Sequence, residues 1–332
     1  MGVADIRWFA FNQYEQLVLP DLARLGLTVD TSGDAPAGIA VCMNHDLAPA
    51  VWRYSRRHGT AFVSYVWDLP PFRLGGGRPD HVVSVGRRLL TLPRLATRYR
   101  TRRGYYSRLR YVAAHALAVW TPSRASAQGV GSAFGLAAEP VPYCYDSRLF
   151  TPDLAHRRSS SGQRRETPDA PLVLLSVSRL TAPKNHLAVI RAAARLGARV
   201  ELVGRGPMQP ELESLARHLG VPCRIRSGLP GDELVAAYQS ASVVVCPSRF
   251  EGLGLTGIEG AISGTPVVAS DIPAHREFLG AAACFFPLDD DDALVRAIEQ
   301  AAGTGPPPTA HFTHLTIDAA ARRFAARLSA LL

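Results

Sequence analysis

Ala241–Ser270 reads ASVVVCPSRFEGLGLTGIEGAISGTPVVAS. It opens with an apolar run that ends at Cys246 and closes with another, Pro266–Ala269. Between them lie a glycine-punctuated loop and, over Gly254–Ile262, a short stretch of helical spacing. Apolar runs without alternation mark strands buried on both faces, and a helix joining two of them is the crossover of a parallel sheet. Glu251 falls in the loop and Glu259 early in the helix. Eight steps along one regular helix would leave the two carboxylates roughly 80° apart. With Glu251 in the loop, both are expected to face the crevice at the carboxyl ends of the strands, where open α/β sheets bind ligands. A carboxylate there can accept from two adjacent hydroxyls of a sugar.

The same rhythm extends on either side. Strands are expected over 171–178, 199–203, 221–226, 242–246 and 266–269, with helices over 186–196, 210–219, 232–241 and 254–262. The amino-terminal half repeats it less clearly: strands over 6–11, 38–43, 61–67 and from 118, and helices over 15–25, 47–57 and 105–118. Pro20 is a blemish in the first of those helices. His156–Pro171 (HRRSSSGQRRETPDAP) lacks periodicity and reads as a linker. GTGPPPT at 303–309 breaks the chain before a last helix over 315–332. The expected division is an α/β domain over 1–155, a linker over 156–171, a second α/β domain over 172–308, and a terminal segment, 309–332, returning to the first.

The 332 residues are 47% hydrophobic and 20% charged, as in water-soluble two-domain proteins. No apolar run reaches the ~18 residues that span a bilayer, and the amino terminus has no secretory-signal pattern. Five scattered cysteines, never in a C-x-x-C pair, argue against disulfides and a zinc site and suit a reducing cytoplasm. Residues 1–150 carry a net charge of +8 and the remainder +1. From His81 to Ala138 there is no acidic residue but there are ten arginines. Leucines and tyrosines interleave with those between Arg87 and Arg110, a pattern that suits a segment lying on an anionic membrane surface. A phosphorylated acceptor or an ordinary solvated helix face are the alternatives. Nucleic acid is disfavoured, because no nucleic-acid-binding motif accompanies the charge.

Three further pieces leave the same sheet edge as the glutamate pair. They are Ser178-Arg179-Leu180-Thr181-Ala182-Pro183-Lys184-Asn185, then Gly204-Arg205-Gly206-Pro207, then Ser227-Gly228-Leu229. Lys184 is the only lysine in the chain. With Pro247-Ser248-Arg249-Phe250-Glu251-Gly252-Leu253-Gly254-Leu255-Thr256-Gly257-Ile258-Glu259 and Gly264-Thr265-Pro266-Val267-Val268-Ala269, this order resembles the retaining glycosyltransferases of family four. Their fold, GT-B, has two Rossmann-like parallel-sheet domains facing across a cleft.

The resemblance covers roughly residues 171–300 and implies roles. Arg179 and Lys184 would clamp a nucleotide-sugar diphosphate, such as that of a UDP- or GDP-sugar. Glu251 would hold hydroxyls of the transferred sugar and Glu259 the ribose hydroxyls. Gly204, Arg205, Gly228 and Leu229 would flank the base, and Gly252, Leu253, Gly254 and Leu255 would bring main chain to the ligand. The implied activity is transfer of a hexosyl group with retention to a sugar, lipid-linked or cell-envelope acceptor, in polysaccharide synthesis at the inner face of the membrane. The resemblance implies neither a cofactor nor an essential metal.

In the first domain His45 and Asp68 are the candidate site residues. The family often has a histidine where Trp67 stands, and a glycine-rich loop where Phe11-Asn12-Gln13 stands. These departures keep two other readings open. One is a catalytically inactive nucleotide-sugar-binding subunit. The other is an epimerase or a phosphorylase on the same fold, the latter with Lys184 carrying pyridoxal phosphate.

Overall fold

The computed structural model describes residues 4–10, 13–44, 47–67, 110–151, 153–154 and 171–332. The chain divides into two compact units, residues 1–143 with 317–332, and residues 144–316. The boundaries differ from those read in the sequence. Tyr145, Phe150 and Leu154 are buried with Val235, Tyr238 and Ile258 of the second unit, and Phe312 and Leu315 join them. Apolar side chains seated in that core draw residues 144–154 and 309–316 into the second unit.

The first unit is built on a six-stranded sheet of β1 (Ala4–Phe9), β2 (Val29–Asp30), β3 (Ala37–Cys42), β4 (Ala61–Tyr65), β5 (Ala118–Thr121) and β6 (Glu139–Pro140). The order is β2-β1-β3-β4-β5-β6, and every pair is parallel. Helices α1 (Leu19–Arg24), α2 (Ala48–His58) and α3 (Arg124–Phe134) connect the strands. Pro20 does not interrupt a helix: a 3-10 turn over Gln13–Gln16 precedes α1, and Pro20 lies in its first turn. There the missing N–H has no intrahelical partner to lose. The closing helix, Ile317–Ser329, belongs to this unit. Its Phe324 is fully buried among Trp8, Tyr65, Trp120 and Tyr143, with ring centroids 5.5–6.0 Å away.

The second unit carries β7 (Val173–Val177), β8 (Arg199–Val203), β9 (Cys223–Arg226), β10 (Val243–Cys246), β11 (Val267–Ser270) and β12 (Ala283–Phe286). Their order, β12-β11-β10-β7-β8-β9, is again wholly parallel. The helices are α4 (His186–Leu196), α5 (Gln209–His218), α6 (Gly231–Ser240), α7 (Leu255–Ile262), α8 (Pro273–Leu279) and α9 (Asp291–Ala302). Alternate strand residues serve opposite faces. Leu174, Leu202, Val243 and Val245 pack beneath α4, α5 and α9. Leu175, Val203, Val244 and Ala269 pack beneath α6, α7 and α8.

The chain runs outward through β7, β8 and β9, then returns to build β10, β11 and β12 on the other side of β7. The order therefore reverses between β7 and β10, and loops leaving those two strands diverge to opposite faces and leave a crevice. Among the described residues no helix is long and apolar enough to cross a membrane.

Candidate functional site

Four loops leave the carboxyl edge of the second sheet, and main-chain hydrogen bonds tie them together. Leu180 N–H donates to the Arg205 carbonyl (2.9 Å) and Met208 N–H to the Leu180 carbonyl (3.0 Å), joining the loops after β7 and β8. Gly204 N–H donates to the Arg226 carbonyl of β9 at 2.8 Å. Arg249 N–H, after β10, donates to the Pro183 carbonyl at 2.9 Å. Thr256 Oγ1 donates to the Val177 carbonyl at 2.8 Å, fixing the start of α7 against β7. The close approach requires glycine. A Cβ at Gly204 would lie 1.9 Å from the Ser178 carbonyl oxygen, and one at Gly206 would lie 2.2 Å from that of Leu180.

Lys184 and Glu251 meet at the reversal between β7 and β10. Lys184 ends a 3-10 turn, Ala182–Lys184, and Asn185 then takes a left-handed conformation (φ 54°) before α4. This turn buries Lys184 to 8% exposure and aims its ammonium across the gap. Nζ donates to Glu251 Oε1 at 2.5 Å, and Ser248 Oγ donates to the same oxygen at 2.7 Å. Burial pushes the Glu251 carboxyl up, but the Lys184 ammonium and these hydrogen bonds more than offset it and hold the group below the ordinary carboxylate range.

Beneath them lies His275 of α8, 1% exposed, its Nδ1 2.9 Å from the Ser270 carbonyl oxygen. A carbonyl only accepts, so Nδ1 carries the proton. Burial lowers the His275 pKa, which keeps the ring neutral and leaves Nε2 as the acceptor. The ring lies against Gly254, whose φ is 77° and where a Cβ would fall 2.9 Å from His275 Cδ2. Ser176, Ser178, Ser248, Glu251, Gly254 and His275 line one small pocket.

Glu259, expected from the sequence to face the crevice, is a buried residue of α7. It is 5% exposed on the inner side of α7, and its Oε2 accepts from the Tyr238 hydroxyl of α6 at 2.8 Å. Burial raises its pKa to about 7; the Tyr238 hydrogen bond opposes that rise and the Asp146 charge adds to it.

Arg179 and Arg205 are exposed at the mouths of their loops, and the Arg205 guanidinium lies 3.3 Å from where a Gly228 Cβ would be. Gly228 takes a left-handed turn and Leu229 is half-buried beside it. Gly252, Leu253 and Gly254 are buried, and Leu255 begins α7. In the first unit, His45, Asp68 and all of the Arg87–Arg110 stretch except Arg110 lie outside the described residues. Trp67 is half-buried, and its Nε1 donates to the Met43 carbonyl at 2.6 Å. Sequence reasoning missed Tyr238 and His275, and it gave Ser248 no role although it stands in the quoted motif.

Residues 171–303 match the family model described as Glycosyl transferases group 1. That stretch is a glycosyl transferases group 1 domain. An uncharacterized glycosyltransferase of Methanocaldococcus jannaschii is 33% identical over 144 residues, 42% of this chain and 36% of the relative. The GDP-mannose-dependent alpha-(1-6)-phosphatidylinositol monomannoside mannosyltransferase of Mycolicibacterium smegmatis is 34% identical over 163 residues, 44% of this chain and 42% of the relative. The matched part thus spans less than half the length of these curated relatives.

Beyond the group 1 domain the likeness is one of fold. The crystal structure of Anabaena HepE in complex with UDP and glucose superposes with a TM-score of 0.64 over 99% of this chain and 97% of that one, at 16% identity. The fold class is GT-B, α/β with two Rossmann-like parallel sheets.

Proposed function

We propose that this chain is a glycosyltransferase. It moves a sugar from a nucleoside diphosphate sugar to an acceptor, and it retains configuration at the anomeric carbon. The observation that carries the reading is the Lys184–Glu251 contact at the reversal between β7 and β10, made by residues 67 apart in sequence. Breaking the anomeric bond leaves negative charge on the diphosphate. A cation fixed beside that charge stabilises the transition state without reorganising as it forms. Lys184 supplies such a cation and Arg179 a second, exposed one at the mouth of the same loop. Glu251, kept ionised, accepts from hydroxyls of the transferred sugar, and Glu259 from those of the ribose. The main-chain N–H groups at the start of α7 add donors for the anion. The leaving diphosphate is itself the base for the incoming acceptor hydroxyl, so the retaining reading assigns no side chain as a covalent nucleophile.

The donor's base stays between two choices. HepE was crystallised with UDP and with UDP-glucose, whereas the M. smegmatis relative is named as GDP-mannose-dependent. The phosphatidylinositol monomannoside in the latter relative's name favours a lipid-linked acceptor at the inner face of the membrane, with the Arg87–Arg110 stretch as its anionic-surface contact. A second reading, a nucleotide-sugar-binding subunit without turnover, is favoured by Trp67, whose indole is held by the Met43 carbonyl where the family often has a histidine.

A thermal-shift screen against UDP- and GDP-sugars tests the first step. A ligand at a hundredfold excess over its dissociation constant stabilises by ~2.7 kcal/mol, which is readily seen. At least one donor is expected to raise the melting temperature, and the product made with that donor should keep the donor's anomeric configuration by NMR. Silence across the whole panel would remove the reading. A hit without turnover on any acceptor would favour the second one.

A further inference from the structure

We propose that Tyr238 is a positioning residue for Glu259, holding Oε2 so that a single carboxylate oxygen is left for the ribose hydroxyls. The inference rests on the donor-binding reading of Glu259 given above.

Tyr238 is fully buried in α6 and has little freedom. Its ring is met edge-on by Phe150 at 5.6 Å, and its main-chain carbonyl accepts from Thr265 Oγ1 at 2.6 Å. A ring pinned on one side and a backbone pinned on the other deliver the hydroxyl to a fixed point, and Glu259 Oε2 lies 2.8 Å from it. Thr265 is the second residue of the Gly-Thr-Pro-Val-Val-Ala segment of the motif and Glu259 closes the preceding motif, so both ends of the clamp are parts of the proposed donor-site sequence.

The titratable and charged groups facing Glu259 come from three elements. They are Tyr238 of α6, Asp146 of the segment entering the unit, and Cys246 at the end of β10. Asp146 and burial favour the protonated acid, and only the tyrosine hydroxyl favours the carboxylate. A protonated Glu259 accepts poorly from a diol. Tyr238 is thus expected to govern both the orientation of the carboxylate and the pH at which it becomes an acceptor.

Tyr238→Phe keeps the ring and removes the hydroxyl, and Glu259→Gln is its reference. The first readout needs no ligand: the Glu259 carboxyl 13C shift is titrated in the wild type and in Tyr238→Phe. The midpoint is expected to move to higher pH in the variant; an unchanged midpoint overturns the proposal. The second readout is calorimetric binding of UDP, with GDP in parallel, between pH 6 and pH 9. Wild-type affinity is expected to fall as the pH drops through about 7. Tyr238→Phe is expected to bind about tenfold more weakly at pH 7 and to recover most of that by pH 9. A loss of equal size at every pH would mean a merely structural role and overturns the proposal. If Glu259→Gln binds both nucleotides as the wild type does while the NMR midpoint still moves, the donor-binding reading of Glu259 has failed and the Tyr238–Glu259 coupling stands. Circular dichroism of each variant separates these outcomes from unfolding.

Discussion

Lys184 and Glu251 stabilise one another at a cost that shows only when one is removed. Taking away one member of a fully buried ion pair costs ~3–5 kcal/mol, because the other charge stays behind without a partner. Glu251 keeps 19% side-chain exposure, so water repays part of that. Lys184→Met is expected to lower the unfolding free energy by about 1–3 kcal/mol, and Lys184→Met with Glu251→Gln by less than the sum of the single changes. Urea unfolding of the three variants measures the coupling; additive losses would show that the pair contributes nothing.

Glu259 makes the opposite demand. A carboxyl moved from 4.5 to about 7 is bound to a proton in the folded state over a pH window where the unfolded chain has released it. Stability therefore falls as pH rises across that window and is flat above it. The penalty at pH 8 is of order 3 kcal/mol. Glu259→Gln is expected to raise the melting temperature at pH 8 and leave it nearly unchanged at pH 4.5. Equal stability at pH 8 would mean that Glu259 ionises without penalty. The motif spacing made both glutamates legible as a pair. It did not show that one is paired with a cation and the other with a phenol, because Tyr238 lies 21 residues from Glu259 on another helix and is an ordinary apolar-face residue of that helix in the sequence.

At the scale of elements, the legible parts are those whose signals are local. Helix His186–Leu196 and strand Arg199–Val203 stand at the limits that periodicity predicts, because Gly197 ends the helix in a left-handed turn and a five-residue strand with buried Val200, Leu202 and Val203 follows. Helix α8 was not legible: it is seven residues long, and its Pro273 reads as a breaker rather than as a first-turn residue. Helix α9 carries a local signal in its aspartates. Asp290 caps it by accepting from Ala293 N–H at 2.8 Å, and Asp291 and Asp292 fill its first turn, so an acidic run that resembles a loop is a helix start.

The loop before α7 holds its shape through Gly254, and two separate costs meet there. A left-handed conformation costs a residue with a Cβ ~1–2 kcal/mol, and that Cβ would press on the His275 ring. Gly254→Ala is expected to destabilise by more than the backbone cost alone. His275→Ala in the Gly254→Ala background should recover the steric part and leave the backbone part. Chemical denaturation of the two variants and their combination separates the two. If His275→Ala recovers nothing, the ring is not what the methyl group meets.

The chain forms two compact units, and its sequence does not divide between them in order. The helix that follows the second unit supplies Phe324 to the first, where four aromatic side chains close around it. The proposed donor-site residues Lys184, Glu251 and Glu259 all lie in the other unit. A perturbation of each core can therefore be matched to a separate response. Phe→Ala in a packed core costs ~3–5 kcal/mol, so Phe324→Ala is expected to lower the thermal transition of the unit comprising residues 1–143 and 317–332. A bound nucleoside diphosphate stabilises only the state that binds it, and is expected to raise the transition of residues 144–316. Differential scanning calorimetry of wild type and Phe324→Ala, each with and without UDP or GDP, reads both effects in one set of scans. Phe324→Ala should lower only the transition of residues 1–143 with 317–332, and the nucleotide should raise only that of residues 144–316. A single transition that shifts as one body under both changes would mean that the two cores unfold together and that stability is a property of the whole chain.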